Sequence, residues 1–437
     1  MAQATTGANI AATDTMTSDD PRYKRMFDVN TTHANAGVEQ DRDYSDDLDG
    51  LRERAPVLKG SPRELLGLPE VHGAHEVERE NWTLLSYAAC ERGFRENLTF
   101  SSAVLKESAG IRKIGPTILE MTGKQHKSYR AVAQPLFLRP RVLDWWKRRW
   151  IDDAVDALLD RLEGREGADL NIELCARLPM YVVTRAIGLE GMDALGFRDH
   201  LTRSTFGAGE ATPEEVAQSR EEVDRILGDL IAARRAKPGD DVITGVLAND
   251  LRLPDGTTRK DTEAEVFSFC KLLIFAGGGT TWRQLGITID LLLTHPEAWA
   301  ECKAKRAMIE VAVDEGLRLR PTDPYFPRLA TCDVEVEGIT VPEGARVHIC
   351  LGAGNRDPEV FERPRQFDLH RRKQHHMGLG LGPHRCLGMD VAKQEIVCAI
   401  NGLMNRWPDL RLDPDQPRPR FAGLDHRGMS AVPVRFG

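Results

Sequence analysis

Apolar residues in this chain recur mostly at spacings of three and four, while strict alternation is confined to a few short stretches. The helical spacing predicts helices over residues 150–161, 173–189, 262–294 and 389–405, with another ending near 235–239. Alternation predicts a strand at 82–87, followed by a short helix over 88–97. It also predicts a hairpin in which Val334 and Val336 lead to Gly338, and Ile339 and Val341 lead out again. The predicted class is mainly α with a small β region. No repeat or low-complexity linker divides the chain, so residues 23–437 read as a single domain. The Ala-, Thr- and Asp-rich residues 1–22 read as a disordered tail.

The helix over 262–294 carries an anomaly. Val266, Phe267, Phe269, Leu272, Leu273 and Ile274 precede Ala276-Gly277-Gly278-Gly279-Thr280-Thr281, and Trp282, Leu285, Ile287 and Leu291 follow. Three glycines inside a helix cost roughly 3 kcal/mol in total relative to alanine. Close approach to a flat ligand, with local unwinding that opens a groove, is the expected compensation.

With 437 residues the chain can bury a large core. The net charge of −8 and a single short basic stretch set a nucleic-acid partner aside. Eight cysteines include no Cys-x-x-Cys pair, which suits buried thiols in a reducing, cytoplasmic setting. No run of about 20 apolar residues predicts a membrane anchor.

Candidate chemistry concentrates at His375-His376-Met377-Gly378-Leu379-Gly380-Leu381-Gly382-Pro383-His384-Arg385-Cys386-Leu387-Gly388. One cysteine stands in a glycine-rich loop just before a helix starting at Met389, where free N–H groups favour a thiolate. Gly380, Gly382, His384, Cys386 and Gly388 match a fixed spacing expected by chance on the order of once in ten thousand such chains. This loop resembles the haem-binding signature of the cytochromes P450, with Leu379 where that family usually has Phe. The resemblance implies the P450 fold, haem b on Cys386, and a soluble bacterial-type monooxygenase.

Three further signatures follow in the family's order. His126 and Arg130, four apart on one helix face, resemble a propionate-binding pair, joined by Arg328 and His384. Ala276, Gly277, Gly279 and Thr280 resemble the distal helix, with Thr280 at the alcohol position and Gly279 where the family has an acid. Thr281 is a second hydroxyl available to a proton relay. Glu315 and Arg318 resemble the family's buried pair, completed by Arg371 or its neighbour Arg372. His376 reads as structural.

The resemblance also places a substrate pocket along Pro321 to Pro327, with Tyr325, Phe326, Ile274 and Leu424 as candidates. It implies a hydrophobic small-molecule substrate, and electrons from a ferredoxin and an NAD(P)H-driven ferredoxin reductase. Arg139, Arg141, Lys147, Arg148 and Arg149, interleaved with Trp145, Trp146 and Trp150, read either as a solvated helix face or as a docking patch for that donor. The break at 207–213 reads as a connecting loop or a lid. Two other readings stay open, the first of them because of the missing acid at Gly279. One is peroxide-driven oxidation, isomerisation or dehydration; the other is a haem sensor without turnover.

Overall fold

A computed structural model of the chain describes residues 16, 17, 19–71, 77–206 and 211–437. Most of the expected tail, and residues 207–210 of the expected loop or lid, lie outside the described residues. Packing starts before residue 23. Met16 is buried in the main core, and helix α1 (Pro21–Phe27) sets Phe27 edge-on against Trp282, with ring centres 5.5 Å apart.

The helices that position the site are α2 (Tyr87–Arg95), α3 (Gly123–Ala133), α4 (Leu178–Ile187), α5 (Ala194–Phe206), α6 (Pro213–Ala236), α7 (Glu263–Thr294), α8 (Met308–Leu319) and α9 (Met389–Arg406). The central one is α7. Its start is fixed by a capping box in which the Thr262 hydroxyl accepts from Glu265 N–H and the Glu265 carboxylate accepts from Thr262 N–H. Arg259 grips the same carboxylate at 2.6 and 2.7 Å, and the Tyr129 hydroxyl of α3 donates to it at 2.5 Å. Most of the C-terminal half of α7 is buried, against α4, α8 and α9.

The β region is a five-stranded sheet in the order β1-β2-β7-β4-β3, formed by β1 (Val57–Lys59), β2 (Asn81–Leu84), β3 (Phe100–Ser101), β4 (Phe326–Ala330) and β7 (Arg346–Ile349). Between β4 and β7 the hairpin β5 (Val334–Val336) and β6 (Ile339–Val341) pairs Val334 with Val341, as the alternation requires. A small pair, β8 (Phe421–Ala422) and β9 (Gly428–Met429), carries a turn towards α7. The helices share one large core; the sheet has its own, built around Val57, Leu84, Phe94, Val347 and Ile349.

The stretch Val142–Ile151 adopts wide, π-helical turns that bring Trp145, Trp146 and Trp150 together inside, with Trp145 and Trp150 centred 4.7 Å apart. Its cations point outward and are mostly engaged. Arg139 meets Glu310 at 2.7 Å, Lys147 meets Asp152 at 2.8 Å, and Arg149 meets Asp240 at 3.3 Å. Arg148 lies 3.6 Å from Asp144, and Arg141 stacks on Trp145. The aromatics interleaved in the sequence are thus a buried stripe, and the basic residues form a solvated face that carries its own counter-charges.

Candidate active site

The glycine loop delivers Cys386 to the start of α9. Gly380 and Gly382 hold positive φ (69° and 68°), and a Cβ on Gly382 would stand 2.6 Å from the Phe94 carbonyl oxygen. The glycines therefore serve a tight turn against the backbone of α2. Within the turn Cys386 N–H donates to the Leu379 carbonyl at 2.9 Å. The Cys386 side chain lies deep among protein atoms yet keeps an accessible surface, so it lines an internal space. Burial pushes its thiol up, against the opposing pull of Gly388 N–H and the charges of Arg130 and Arg385. The helix start alone does not bring this thiol below its ordinary value.

Around this cysteine stand four nitrogen donors from three segments. His126 and His384 stack with ring centres 4.0 Å apart. The His126 Nε2 is buried and unpartnered, while His384 Nε2 sits 3.1 Å from Ser102 Oγ. Burial lowers the two imidazoles to about 4 and about 3, with neighbouring positive groups adding to the effect. Among the described residues Arg130 donates only to Gln134 Oε1, at 3.1 Å, and Arg328 donates to the Pro327 carbonyl beside it. Burial lowers Arg328 to about 10. Among the described residues no carboxylate offsets any of the four. Buried cations without counter-charge are costly in a fold. The set fits a ligand bearing carboxylates whose body lies over Cys386, as the porphyrin does.

Helix α7 runs without a break through its glycines, so the expected unwinding is absent. Regular geometry lets the Thr280 hydroxyl donate to the Ala276 carbonyl at 3.1 Å. Each glycine has a different reason. At Gly278 a Cβ would collide with Met180 Sδ and stand 2.8 Å from Arg198 Nη1, so this glycine serves helix packing and not a ligand. At Gly277 a Cβ meets only Val183, at ordinary contact distance. At Gly279 it meets nothing within 4 Å, and Ala276 is exposed in the middle of the helix. One face of α7 therefore opens inward.

The family model described as Cytochrome P450 matches residues 212–424. Cytochrome P450 107B1 of Saccharopolyspora erythraea is 34% identical over 74% of this chain and 78% of its own length. The chain belongs to the cytochrome P450 family. Pentalenic acid synthase of Streptomyces avermitilis is 30% identical over 87% of this P450 and 93% of its own length. Among solved structures, the P450 PksS of the Bacillus subtilis bacillaene polyketide synthase superposes with a TM-score of 0.78 at 25% identity, covering 93% of this chain and 99% of that one. The protein is thus an oxidoreductase of the haem-thiolate class. No helix among the described residues is long and apolar enough to cross a membrane.

The remaining residues singled out from the P450 resemblance fall in two groups. Glu315, Arg318 and Arg371 are brought together and buried. Arg318 grips Glu315 through two bonds of 2.8 Å, and Arg371 Nε reaches the same carboxylate at 3.0 Å. Arg318 also donates to the carbonyls of Asn355, Pro364 and Gln366, tying α8 to the chain ahead of the cysteine loop. His376 lies 3.4 Å from Asp314.

Others are placed elsewhere than expected. At 100° per residue Ile274 and Thr281 face away from the stripe of Ala276 and Thr280, and both are buried in packing. Leu424 is turned inward by Gly423 (φ 95°) and sits in a separate apolar cluster with Tyr44, Leu48 and Leu51. Tyr325 packs against that cluster and gives its hydroxyl to Asp425. Phe326 packs on the sheet-side core, 6.4 Å from the Phe94 ring. The sequence reading missed Ser102, Arg283, Asp323 and His426. Arg283 falls on the open stripe, four residues after Gly279, which is the one signal that identifies it without coordinates.

Proposed function

We propose that this chain is a haem b monooxygenase with Cys386 as axial ligand, acting on a small hydrophobic molecule with electrons from a separate ferredoxin and its reductase. The observation that carries the reading is the uncompensated set His126, Arg130, Arg328 and His384 beside the accessible Cys386 thiol. Arg130 and Arg328 would hold the porphyrin carboxylates, because guanidinium groups donate paired hydrogen bonds to such anions. His126 Nε2 and His384 supply further donors. Gly388 N–H and the start of α9 lower the cost of negative charge on the sulfur. When bound, haem supplies dioxygen activation, which the cysteinate favours by donating electron density. Ala276, Gly277 and Gly279 leave that face of α7 free of side-chain bulk, and Thr280 keeps a hydroxyl at its edge. The deciding test is the absorption of the reduced protein under carbon monoxide. A thiolate-type band that disappears in Cys386→Ser supports the assignment; a band indifferent to that change sinks it.

A second reading rests on Gly279. With no acid at that position, and the Thr280 hydroxyl bonded back to Ala276, peroxide-driven oxidation remains a competing chemistry. Product formed per reductant, compared with product formed from added hydrogen peroxide, separates the two. The substrate class draws on relatives whose names refer to pentalenic acid and to 20-oxo-5-O-mycaminosyltylactone. On that likeness the substrate proposed for this chain is an organic scaffold of the same general kind.

A further inference from the structure

Position 279 lacks an acid, yet a carboxylate stands close to the same face of α7. Gly279, Thr280 and Arg283 share that face, at spacings of three and four residues. Arg283 is buried; its Nη2 lies 3.6 Å from Asp323 Oδ1, and its Nε has no hydrogen-bond partner. Asp323 comes from the irregular segment ahead of β4. Its Oδ1 is buried and accepts no hydrogen bond, and its Oδ2 sits 3.5 Å from Thr322 Oγ1. His426, in the turn between β8 and β9, brings Nε2 to 3.8 Å from the same Oδ1. Three separate segments thus converge on one oxygen at separations just beyond a direct hydrogen bond.

The other charges nearby are accounted for. Asp425 is held by Arg63 at 2.6 Å and by the Tyr325 hydroxyl. Arg198 of α5 adds positive charge near Arg283 but donates to the Gly278 carbonyl, on the opposite side of α7. Arg283 and Asp323 cancel, so the cluster offers no net charge to an anionic substrate.

We propose that Asp323, held by Arg283 and His426, is the relay acid that hands protons towards Thr280 in place of a carboxylate at position 279. The inference rests on the P450 reading above. In each cycle Asp323 takes a proton from solvent, releases it towards the Thr280 hydroxyl and returns to the carboxylate. Only O–H bonds form and break, and no electron moves. Arg283 and His426 are positioning residues that aim Oδ1.

The test uses the haem-loaded protein. The thiolate-type carbonyl band is recorded first; its absence from the unmodified protein would overturn the P450 reading, whereas its retention confines later differences to the relay. Infrared spectra of the same carbonyl complex then report the field at the distal face. Asp323→Asn is expected to shift the C–O stretch and to slow reductant consumption with a surrogate ferredoxin by about 10²-fold, within the range of a positioned proton donor. A larger solvent isotope effect should accompany the loss. Asp323→Glu should retain most of the rate. Adding Gly279→Asp to Asp323→Asn should recover about tenfold or more of it, since the space at Gly279 admits a side chain. If Asp323→Asn does not retain haem, Arg283→Gln carries the same expectation. An unchanged stretch and rate overturn the proposal, as does a loss that an acid at 279 does not restore. A change confined to ligand affinity would make the cluster a substrate anchor instead.

Discussion

Gly278 of α7 lies so close to Met180 of α4 that any side chain on it would overlap the sulfur, whereas its neighbour Gly279 faces open space. Both glycines weaken the helix by about 1 kcal/mol relative to alanine. Gly279→Ala should therefore stabilise the protein by up to about 1 kcal/mol. Gly278→Ala gains the same propensity but must displace a fully buried Met180, and overpacking costs about 1–3 kcal/mol. The two substitutions should move the urea midpoint in opposite directions. Two shifts of the same sign would contradict the packing described for α7.

The start of α7 predicts an unusual response to pH. Burial, with Glu265 nearby, raises Asp261 to about 6, and its Oδ1 has no partner. Arg259, Tyr129 and the cap hold Glu265 down to about 2. For Asp261 the folded state binds the extra proton, so its contribution to stability falls as pH rises from about 4 to about 6. For Glu265 the unfolded state binds it, so its contribution is lost as pH falls from about 4.5 to about 2. The local optimum lies near pH 4–5. Asp261→Asn should remove the first slope and raise stability at pH 7 by about 1 kcal/mol, the scale of an unpartnered buried acceptor. Denaturation curves at pH 4 and pH 7 measure this directly; equal effects at both pH values would refute it.

Some of the site was legible without coordinates because it is local. Gly380 to Gly388 announce a turn, a thiol and a helix start within nine residues, and Glu315 with Arg318 is a single helical turn. Periodicity found α7 and α9, and alternation found the β5–β6 hairpin. What failed depended on direction or on distant partners. Ile274 and Thr281 stand near Ala276 and Thr280 in the chain, but a helix turns them to the other side. The glycine run suggested a cofactor contact, but Gly278 answers to Met180, which sits almost a hundred positions away in the chain. Asp323 and His426 each read as an ordinary loop charge until the fold brings them to Arg283. Trp145, Trp146 and Trp150 are interleaved with cations in the sequence, and the wide π-helical turns that draw them together inside are not visible there.

Glu315 is the point where α8 and the segment before the cysteine loop are tied. Its carboxylate accepts from Arg318 and Arg371, and also from Asp368 N–H at 3.2 Å. Glu315→Gln keeps the shape but leaves two buried guanidinium groups without a counter-charge, a change that costs about 3–5 kcal/mol. The expected outcome is a large drop in unfolding midpoint together with loss of the thiolate-type carbonyl band, since the loop carrying Cys386 loses its anchor. A variant that keeps both would show that the pair is dispensable for the loop.

The four donors around Cys386 should separate folding from cofactor retention. In the protein alone, Arg328 is a buried cation whose one hydrogen-bond acceptor among the described residues is a neighbouring carbonyl, so its burial is a net cost to the fold. Arg328→Leu should therefore leave the haem-free protein as stable or more stable. With haem bound, the same change removes charge-assisted hydrogen bonds worth about 1.5–3 kcal/mol. Haem should then leave roughly ten- to a hundredfold faster, as measured by transfer to an acceptor apoprotein. Arg130→Leu should act in the same direction on haem loss. Because Arg328 is buried, raising the salt concentration should change its rate little. Opposite signs for the haem-free and haem-loaded proteins follow only if the guanidinium is there for an anion the chain itself does not supply. A loss of stability in the haem-free protein with unchanged haem transfer would assign Arg328 to the fold.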